Sequence, residues 1–274
     1  MKKFLFILFI SLNLWGAERI VTLTPSINEI VFALDEGQNV VANTKFCDFP
    51  VASQKIKKIG GYATISLEKI LQAHPTVVIG QDYDNQLNSN LSALGIQTKI
   101  YKTNTLDSIK NTIKDLGLFF HKEQKADELI SGINNTLDSL KGIVNNQKIL
   151  IVISPKKSLS NQIYVAGNYI YFEDIIQASG NQNAYFSTSH IQPVVNSEKI
   201  IHMNPDIIVL LAPFLEAQFK EQEAIIKAWE SLPIRAAKNK NIYMVDKAYA
   251  GIPSQRVVYF MQDFKKILEN VRNK

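Results

Sequence analysis

Two periods share the chain. Apolar, β-branched runs without alternation recur at Arg19-Ile-Val-Thr-Leu23, Thr76-Val-Val-Ile79, Lys148-Ile-Leu-Ile-Val-Ile153, Asp206-Ile-Ile-Val209 and Asn241-Ile-Tyr-Met-Val245. Such runs predict strands buried on both faces, as in parallel sheets. Between them the spacing of apolar residues changes to three and four. Ser26 to Glu29 reads as a capping box with Pro25 just ahead, opening a helix through Leu34. Ala126, Leu129, Ile130, Ile133, Leu137, Leu140 and Val144 predict one long amphipathic helix over 122–146, about 37 Å in length. Val257, Val258, Met261, Phe264, Ile267 and Leu268 mark the apolar face of a closing helix from Ser254 to Val271. Strands alternating with helices predict parallel or mixed sheets covered on both sides.

The pattern then repeats itself. Ser66-Leu-Glu-Lys-Ile-Leu-Gln-Ala-His-Pro75-Thr-Val-Val-Ile79 aligns without gaps to Asn196-Ser-Glu-Lys-Ile-Ile-His-Met-Asn-Pro205-Asp-Ile-Ile-Val209. Glu68 and Glu198, Lys69 and Lys199, Ile70 and Ile200, and Pro75 and Pro205 are identical. Each copy opens on an N-cap residue type and runs two helical turns. A proline then stops each helix by disfavouring the αR conformation in the residue before it. The alternative to a repeat is chance similarity of helix-to-strand boundaries. A true repeat implies two similar α/β lobes, 17–120 and 147–274, with 121–146 as a stiff connection between them. No flexible Gly/Ser or Pro linker is present, so small adjustment is expected rather than wide hinge closure.

The first residues have a different use. Lys2-Lys3, the apolar stretch Phe4–Leu14 and Trp15-Gly16-Ala17 read as a signal peptide over 1–16, cleaved after Gly16. Eleven mostly apolar residues fall far short of the ~20 that cross a bilayer as a helix. No cysteine follows the apolar stretch, so a lipid anchor is not expected. Export to the periplasm as a soluble monomer is the expectation. The formal charge of +5 drops to +3 once Lys2 and Lys3 are removed, and the remaining lysines are spread rather than clustered. That excludes a nucleic-acid face. The single cysteine, Cys47, excludes an internal disulfide framework and any CxxC motif.

Enzyme signatures are missing: the chain has no GxGxxG after its first strand, no phosphate-binding GxxxxGK[ST], no HExxH and no GxSxG. The four histidines, His74, His121, His190 and His202, show no ligand spacing with one another. Only His190 lies in a loop-like stretch, Ser187–Gln192, where a side chain can face a cleft. Tyr62, Tyr83, Tyr164, Tyr169, Tyr171, Tyr185 and Tyr249 fall largely between predicted elements, where open α/β sheets bind ligands. As a set they suggest a tyrosine-lined cleft between the lobes, suited to a large planar or chelate ligand.

At this point a resemblance becomes specific. Arg19-Ile-Val-Thr-Leu-Thr-Pro-Ser26, Glu29, Asp48-Phe-Pro50, Ile59-Gly-Gly-Tyr62, Leu67-Glu-Lys-Ile70 and His74-Pro-Thr-Val-Val-Ile79 resemble the N-terminal lobe of the iron-chelate/cobalamin class of ABC-importer substrate-binding proteins. Trp229-Glu-Ser-Leu-Pro233, Lys238 to Asp246 and Pro253-Ser-Gln-Arg256 continue the match over nearly the whole mature chain. The resemblance implies two Rossmann-like lobes joined by one long α-helix, the class III periplasmic binding protein architecture, with the ligand between the lobes. It implies no enzymatic activity and no intrinsic cofactor.

The resemblance also places the family's docking glutamates, which grip arginines of an inner-membrane permease dimer, on Glu68 and Glu198. Corrinoid-stacking tryptophans of cobalamin-binding members fall on Tyr62, Gln81 and Gln192, and a tyrosine on Phe46. Haem-binding members carry a tyrosine after glycine where Tyr62 stands, and there it ligates ferric iron through its phenolate. Catecholate-siderophore binders use several pocket arginines, whereas only Arg19, Arg235, Arg256 and Arg272 exist here. The expectation is therefore delivery of an iron complex to the permease, haem first and a ferric siderophore next. Cobalamin, or a bare Zn or Mn ion, is the alternative. Tyr62 is the expected iron ligand if the ligand is haem, with Phe46, Gln81, Tyr83, His190, Gln192, Tyr249 and Arg256 as further cleft residues.

Overall fold

The β-branched runs form two separate sheets in the computed structural model, which describes residues 18–61, 64–159, 162–216 and 218–274. The first lobe runs β1 (Ile20–Thr22), α1 (Pro25–Ala33), β2 (Val40–Asn43), α2 (Val51–Gln54), β3 (Lys57–Lys58), α3 (Leu67–Gln72), β4 (Val77–Gln81), α4 (Asn85–Ala93), β5 (Gln97–Tyr101) and α5 (Leu106–Phe119). Its strands are all parallel, in the order β3-β2-β1-β4-β5. Helix α6 (Glu123–Asp138) leads on.

The second lobe holds β6 (Lys148–Ile153), β7 (Ile163–Val165), α7 (Tyr171–Ala178), β8 (Gln182–Asn183), β9 (Val194–Val195) and α8 (Ser197–Met203). It ends with β10 (Ile207–Leu211), α9 (Phe219–Glu230), α10 (Arg235–Lys238), β11 (Ile242–Val245) and α11 (Val257–Arg272). Here the sheet is mixed. β6, β10 and β11 are parallel neighbours, while β7 runs antiparallel to both β6 and β9. β7 and β8 share one edge of β6, β8 at Lys148–Ile149 and β7 at Val152–Ile153.

The central strands are buried on both faces, as their unbroken apolar runs require. In β4, Val77 and Ile79 join one apolar cluster while Val78 joins another. In β10, Ile207, Val209 and Leu211 face one side, and Ile208 and Leu210 the other. This is the period of two that a pleated strand imposes. One cluster runs without a break from Ile20 and Ile30 through Leu116 and Ile133 to Ile151, Phe260 and Phe264. Both lobes and α6 therefore contribute to one shared apolar cluster, while a second cluster lies within the second lobe and a third within the first.

The internal repeat is structural. Ser66 Oγ accepts from Lys69 N at 3.2 Å, and Asn196 Oδ1 accepts from Lys199 N at 2.9 Å. At the other end of each unit, His74 (φ 47°) and Asn204 (φ 46°) take the left-handed conformation just before their prolines. The proline disfavours αR for that residue, so the two helices stop within one residue of the same place.

Two local readings are corrected. The residue at the N-cap of α1 is Thr24, with Pro25 at the first helical position, so Ser26 is already inside the helix. Glu29 does not reach back to close a capping box, because a buried partner described below takes its carboxylate. The connecting helix is 16 residues, about 24 Å, not 25 residues. Ser139 Oγ bonds back to Thr136 O at 2.7 Å, and Gly142 (φ 72°) and Asn146 (φ 60°) turn the chain. Leu140 and Val144 keep the apolar spacing that suggested helix, but they meet the core from turns.

Candidate functional site

The carboxyl ends of both sheets meet at a cavity of about 320 Å³. The first lobe supplies Tyr83, two residues past β4, and Thr103 and Asn104 past β5. The second supplies Ile153 and Ser154 at the end of β6, Leu211 and Pro213 at the end of β10, and Gln192 ahead of β9. Ile170, Tyr171, Phe172, Gly251 and Pro253 complete the lining. Open α/β sheets leave a crevice at this edge because each strand there hands over to a loop. The volume lies within the usual range for a small-molecule pocket. The described lining combines aromatic and aliphatic surface with hydroxyl and amide groups, none of them charged.

Of the residues singled out from sequence, Tyr83, Tyr171 and Gln192 line this cavity. Tyr83 is 68% exposed, and the side-chain amide of Gln192 donates to Val165 O at 2.8 Å. Gln81 lies one step deeper, buried, and donates to the hydroxyl of the lining residue Thr103. His190 is exposed and stacks on Tyr169, with ring centroids 3.5 Å apart. Phe46 lies in the loop after β2 with the Lys45 ammonium 5.1 Å from its ring. Tyr62 lies outside the described residues. Its neighbour Gly61 sits so close to Lys45 and Phe46 that an added Cβ would come within 3.0 Å of both side chains. The loop leading to Tyr62 therefore runs beside Phe46.

Two of the expected residues are engaged elsewhere. The Tyr249 hydroxyl donates to Asp263 on α11 at 2.5 Å. Burial and that carboxylate push its phenol up, which disfavours a phenolate there. Arg256 is buried and bound bidentately to Glu29, Nε to Oε2 at 3.0 Å and Nη2 to Oε1 at 2.5 Å. Tyr171 does line the cavity, but its hydroxyl is committed to Ala250 O at 3.1 Å. The tyrosine-lined cleft thus narrows to Tyr83 and Tyr171 among the described residues of that cavity.

A buried polar network shapes the loop that carries Phe46. Asn28 accepts from Thr22 Oγ1 (3.0 Å) and Asn43 Nδ2 (3.1 Å), and donates to Phe49 O (3.0 Å) and Ser53 Oγ (2.9 Å). Ser53 Oγ donates to Cys47 O at 3.0 Å, and Lys58 Nζ reaches the same carbonyl at 3.1 Å. Desolvation lowers the pKa of that ammonium from its ordinary value. Burial raises that of the Cys47 thiol, so Cys47 is a packed side chain rather than a reactive one.

Sequence reasoning missed several cavity residues: Thr103, Asn104, Ser154, Phe172, Leu211, Pro213 and Pro253. A usable signal existed for Ser154, the first polar residue after the apolar run of β6. Among the described residues no group of three or more His, Cys, Asp or Glu is gathered to hold a metal ion.

The glutamates of the repeat occupy matching places. Each is the second residue of its helix, and each is exposed: Glu68 on α3, Glu198 on α8. Gln72 donates to Glu68 Oε1 at 3.1 Å.

Comparison with known proteins decides the family. The family profile described as "Periplasmic binding protein" matches residues 20–249. The chain belongs to the periplasmic binding protein family. The curated vitamin B12-binding protein of Vibrio parahaemolyticus is 22% identical over 262 residues, covering 94% of this chain and 91% of that one. Among solved structures, the periplasmic vitamin B12 binding protein of Vibrio cholerae superimposes with a TM-score of 0.79 at 20% identity, covering 94% of this chain and 99% of that one. The periplasmic haem-binding protein of the same organism gives 0.77 at 22%, covering 92% and 99%. The two-lobed α/β fold of class III periplasmic binding proteins, and the resemblance to the iron-chelate/cobalamin class, are thereby established. The expected signal peptide falls on residues outside the described ones.

Proposed function

We propose that this chain captures a tetrapyrrole metal chelate in the interlobe cleft and delivers it to an ABC permease in the inner membrane. The observation that carries this reading is the cavity itself, formed by the carboxyl edges of both sheets and lined by Tyr83, Tyr171, Phe172 and neutral hydroxyl and amide groups. Flat apolar walls with a few polar atoms suit a large ring whose rim bears polar substituents. The relatives named for vitamin B12 and haem support the same class of ligand.

Between the two rings, the lining favours a corrinoid. Its amide-bearing rim pairs with Thr103, Asn104, Ser154 and Gln192 without any buried counter-charge. Haem is the second reading, and one specific observation favours it. The exposed Lys45 ammonium stands beside Phe46 and the backbone leading to Tyr62, where a cation can meet a propionate while the Tyr62 phenolate takes the iron. A highly anionic siderophore fits less well. Arg256 is committed to Glu29, Arg235 to Asp206 at 2.8 Å, and Arg19 to the carbonyls of Ala73 and His74.

The test is titration of the exported protein with cyanocobalamin and, separately, hemin, followed by absorption and calorimetry. Saturable 1:1 binding of cyanocobalamin that weakens at least fivefold in Asn104→Ala or Ser154→Ala supports the corrinoid reading. A Soret band whose ferric charge-transfer feature vanishes in Tyr62→Phe assigns haem instead. Failure of both probes to bind would overturn the proposal.

A further inference from the structure

We infer that Glu29 and Asp174 are positioning residues that set the width of the cleft by fastening one lobe to the other at two points besides α6 and the apolar cluster that the lobes share. The inference rests on the interlobe cleft being the ligand site. Glu29, on α1 of the first lobe, is 2% exposed. It receives both arms of Arg256 together with the Ser254 hydroxyl at 2.5 Å, from the segment that enters α11 of the second lobe. Phe49 covers the guanidinium, with its ring centroid 3.8 Å from the central carbon. A bidentate, water-excluded pair of this kind has one geometry and does not slide.

The second fastening lies elsewhere. Asp174, on α7 of the second lobe, accepts the backbone N–H of Leu106 at 2.7 Å, in the first turn of α5 of the first lobe. That N–H belongs to a helix start that has no partner within its own helix, and a carboxylate there also meets the positive end of the helix dipole. Nearby, Asn104 donates to Tyr169 O at 3.3 Å, again from lobe to lobe.

Both fastenings adjoin the cavity walls. Ser254 follows the lining residue Pro253. Asp174 lies two residues past Phe172, and Leu106 two residues past Asn104. Each clasp therefore ties a wall of one lobe to the other lobe within two residues of the ligand space, yet neither Glu29 nor Asp174 lines it. The apolar cluster that the lobes share with α6 is non-directional and leaves small tilts of one lobe against the other, and every fixed polar contact across the lobes removes part of that freedom. A cleft held at one width presents its walls already spaced for the ligand, which lowers the ordering cost of binding.

The experiment measures the width directly, in the ligand-free full chain. Nitroxides at Gln86→Cys and Lys220→Cys, on α4 and α9, report the lobe separation by double electron–electron resonance in a Cys47→Ala background. The parent is expected to give one narrow distance distribution. Asp174→Ala, and Glu29→Gln if it folds, are expected to broaden it at least twofold or shift its mean by several ångströms. Asp174→Asn, whose side-chain oxygen still accepts from Leu106, is expected to restore the narrow distribution. Superimposable distributions for the parent and Asp174→Ala would overturn the inference, as would equal broadening in Asp174→Ala and Asp174→Asn. A parallel titration with cyanocobalamin and hemin keeps the two claims separate: if the parent binds neither, the ligand assignment fails while the distances still decide the clasps.

Discussion

Gly60 holds φ at 131°, and a Cβ there would stand 2.0 Å from Thr64 O. Only glycine accepts that combination of dihedral and crowding. Gly60→Ala is therefore expected to cost about 2–3 kcal/mol, read as a lowered urea midpoint with an unchanged slope. A loss under 0.5 kcal/mol would mean the loop relaxes freely. At the surface, Asp115 accepts from the Tyr101 hydroxyl and from Lys99 Nζ at 3.1 Å. Those donors, the tyrosine foremost, hold its carboxyl below the ordinary range. A folded-state value below the unfolded one means stability is present above pH ~4 and is lost as pH falls through the folded value. Asp115→Asn should then lower stability at pH 7 by about 0.5 kcal/mol, since its side chain is half exposed, and by less at pH 2, where more of the carboxyl is protonated. Urea unfolding at the two pH values checks this, and an equal loss at both would reject the electrostatic account.

At the level of elements, α3 and α8 carry the same cap, a side-chain oxygen accepting the N–H of the residue three ahead. Ser66→Ala and Asn196→Ala should each cost about 1 kcal/mol and add to within about 0.5 kcal/mol, because the caps lie in different lobes and share no partner. Urea unfolding of the two singles and the double measures both statements. These units were legible in sequence because cap, two turns and stopping proline are all local signals. The strands were legible for a similar reason: a run buried on two faces must be apolar at every position. The α1 capping box and the far end of the connecting helix were misread because local spacing cannot report what lies 227 residues away. Glu29 is drawn to Arg256, and Leu140 and Val144 are held by the core from turns. The cavity was half legible for the same reason. Loops after strands could be named, but which of their side chains turn inward depends on the opposite lobe. That is why Tyr249 was expected in the cleft and lies instead against Asp263.

Over the whole molecule, the repeat places Glu68 and Glu198 at matching exposed positions on different lobes, and a shared core holds those lobes together. Under the proposed function, two equivalent carboxylates at a fixed separation match a partner built from two equivalent halves, as a permease dimer is. Each is also an N-terminal-turn carboxylate, and favouring its own helix dipole is an ordinary use of such a residue. Charge reversal separates the two roles. A helix-dipole role predicts that Glu68→Lys costs a few tenths of a kcal/mol in unfolding and leaves uptake intact. A docking role predicts that each single reversal cuts uptake of the bound chelate at least fivefold, and that the double reversal reduces it to background. Ligand affinity of the purified variants should stay within twofold of the parent, because neither residue lines the cleft. The association rate with permease in proteoliposomes should also fall more steeply with rising salt in the parent than in the double variant, since steering by exposed charges is screened over about 10 Å at 0.1 M. Full uptake by the double variant with normal ligand binding would leave the two glutamates as helix-end residues alone.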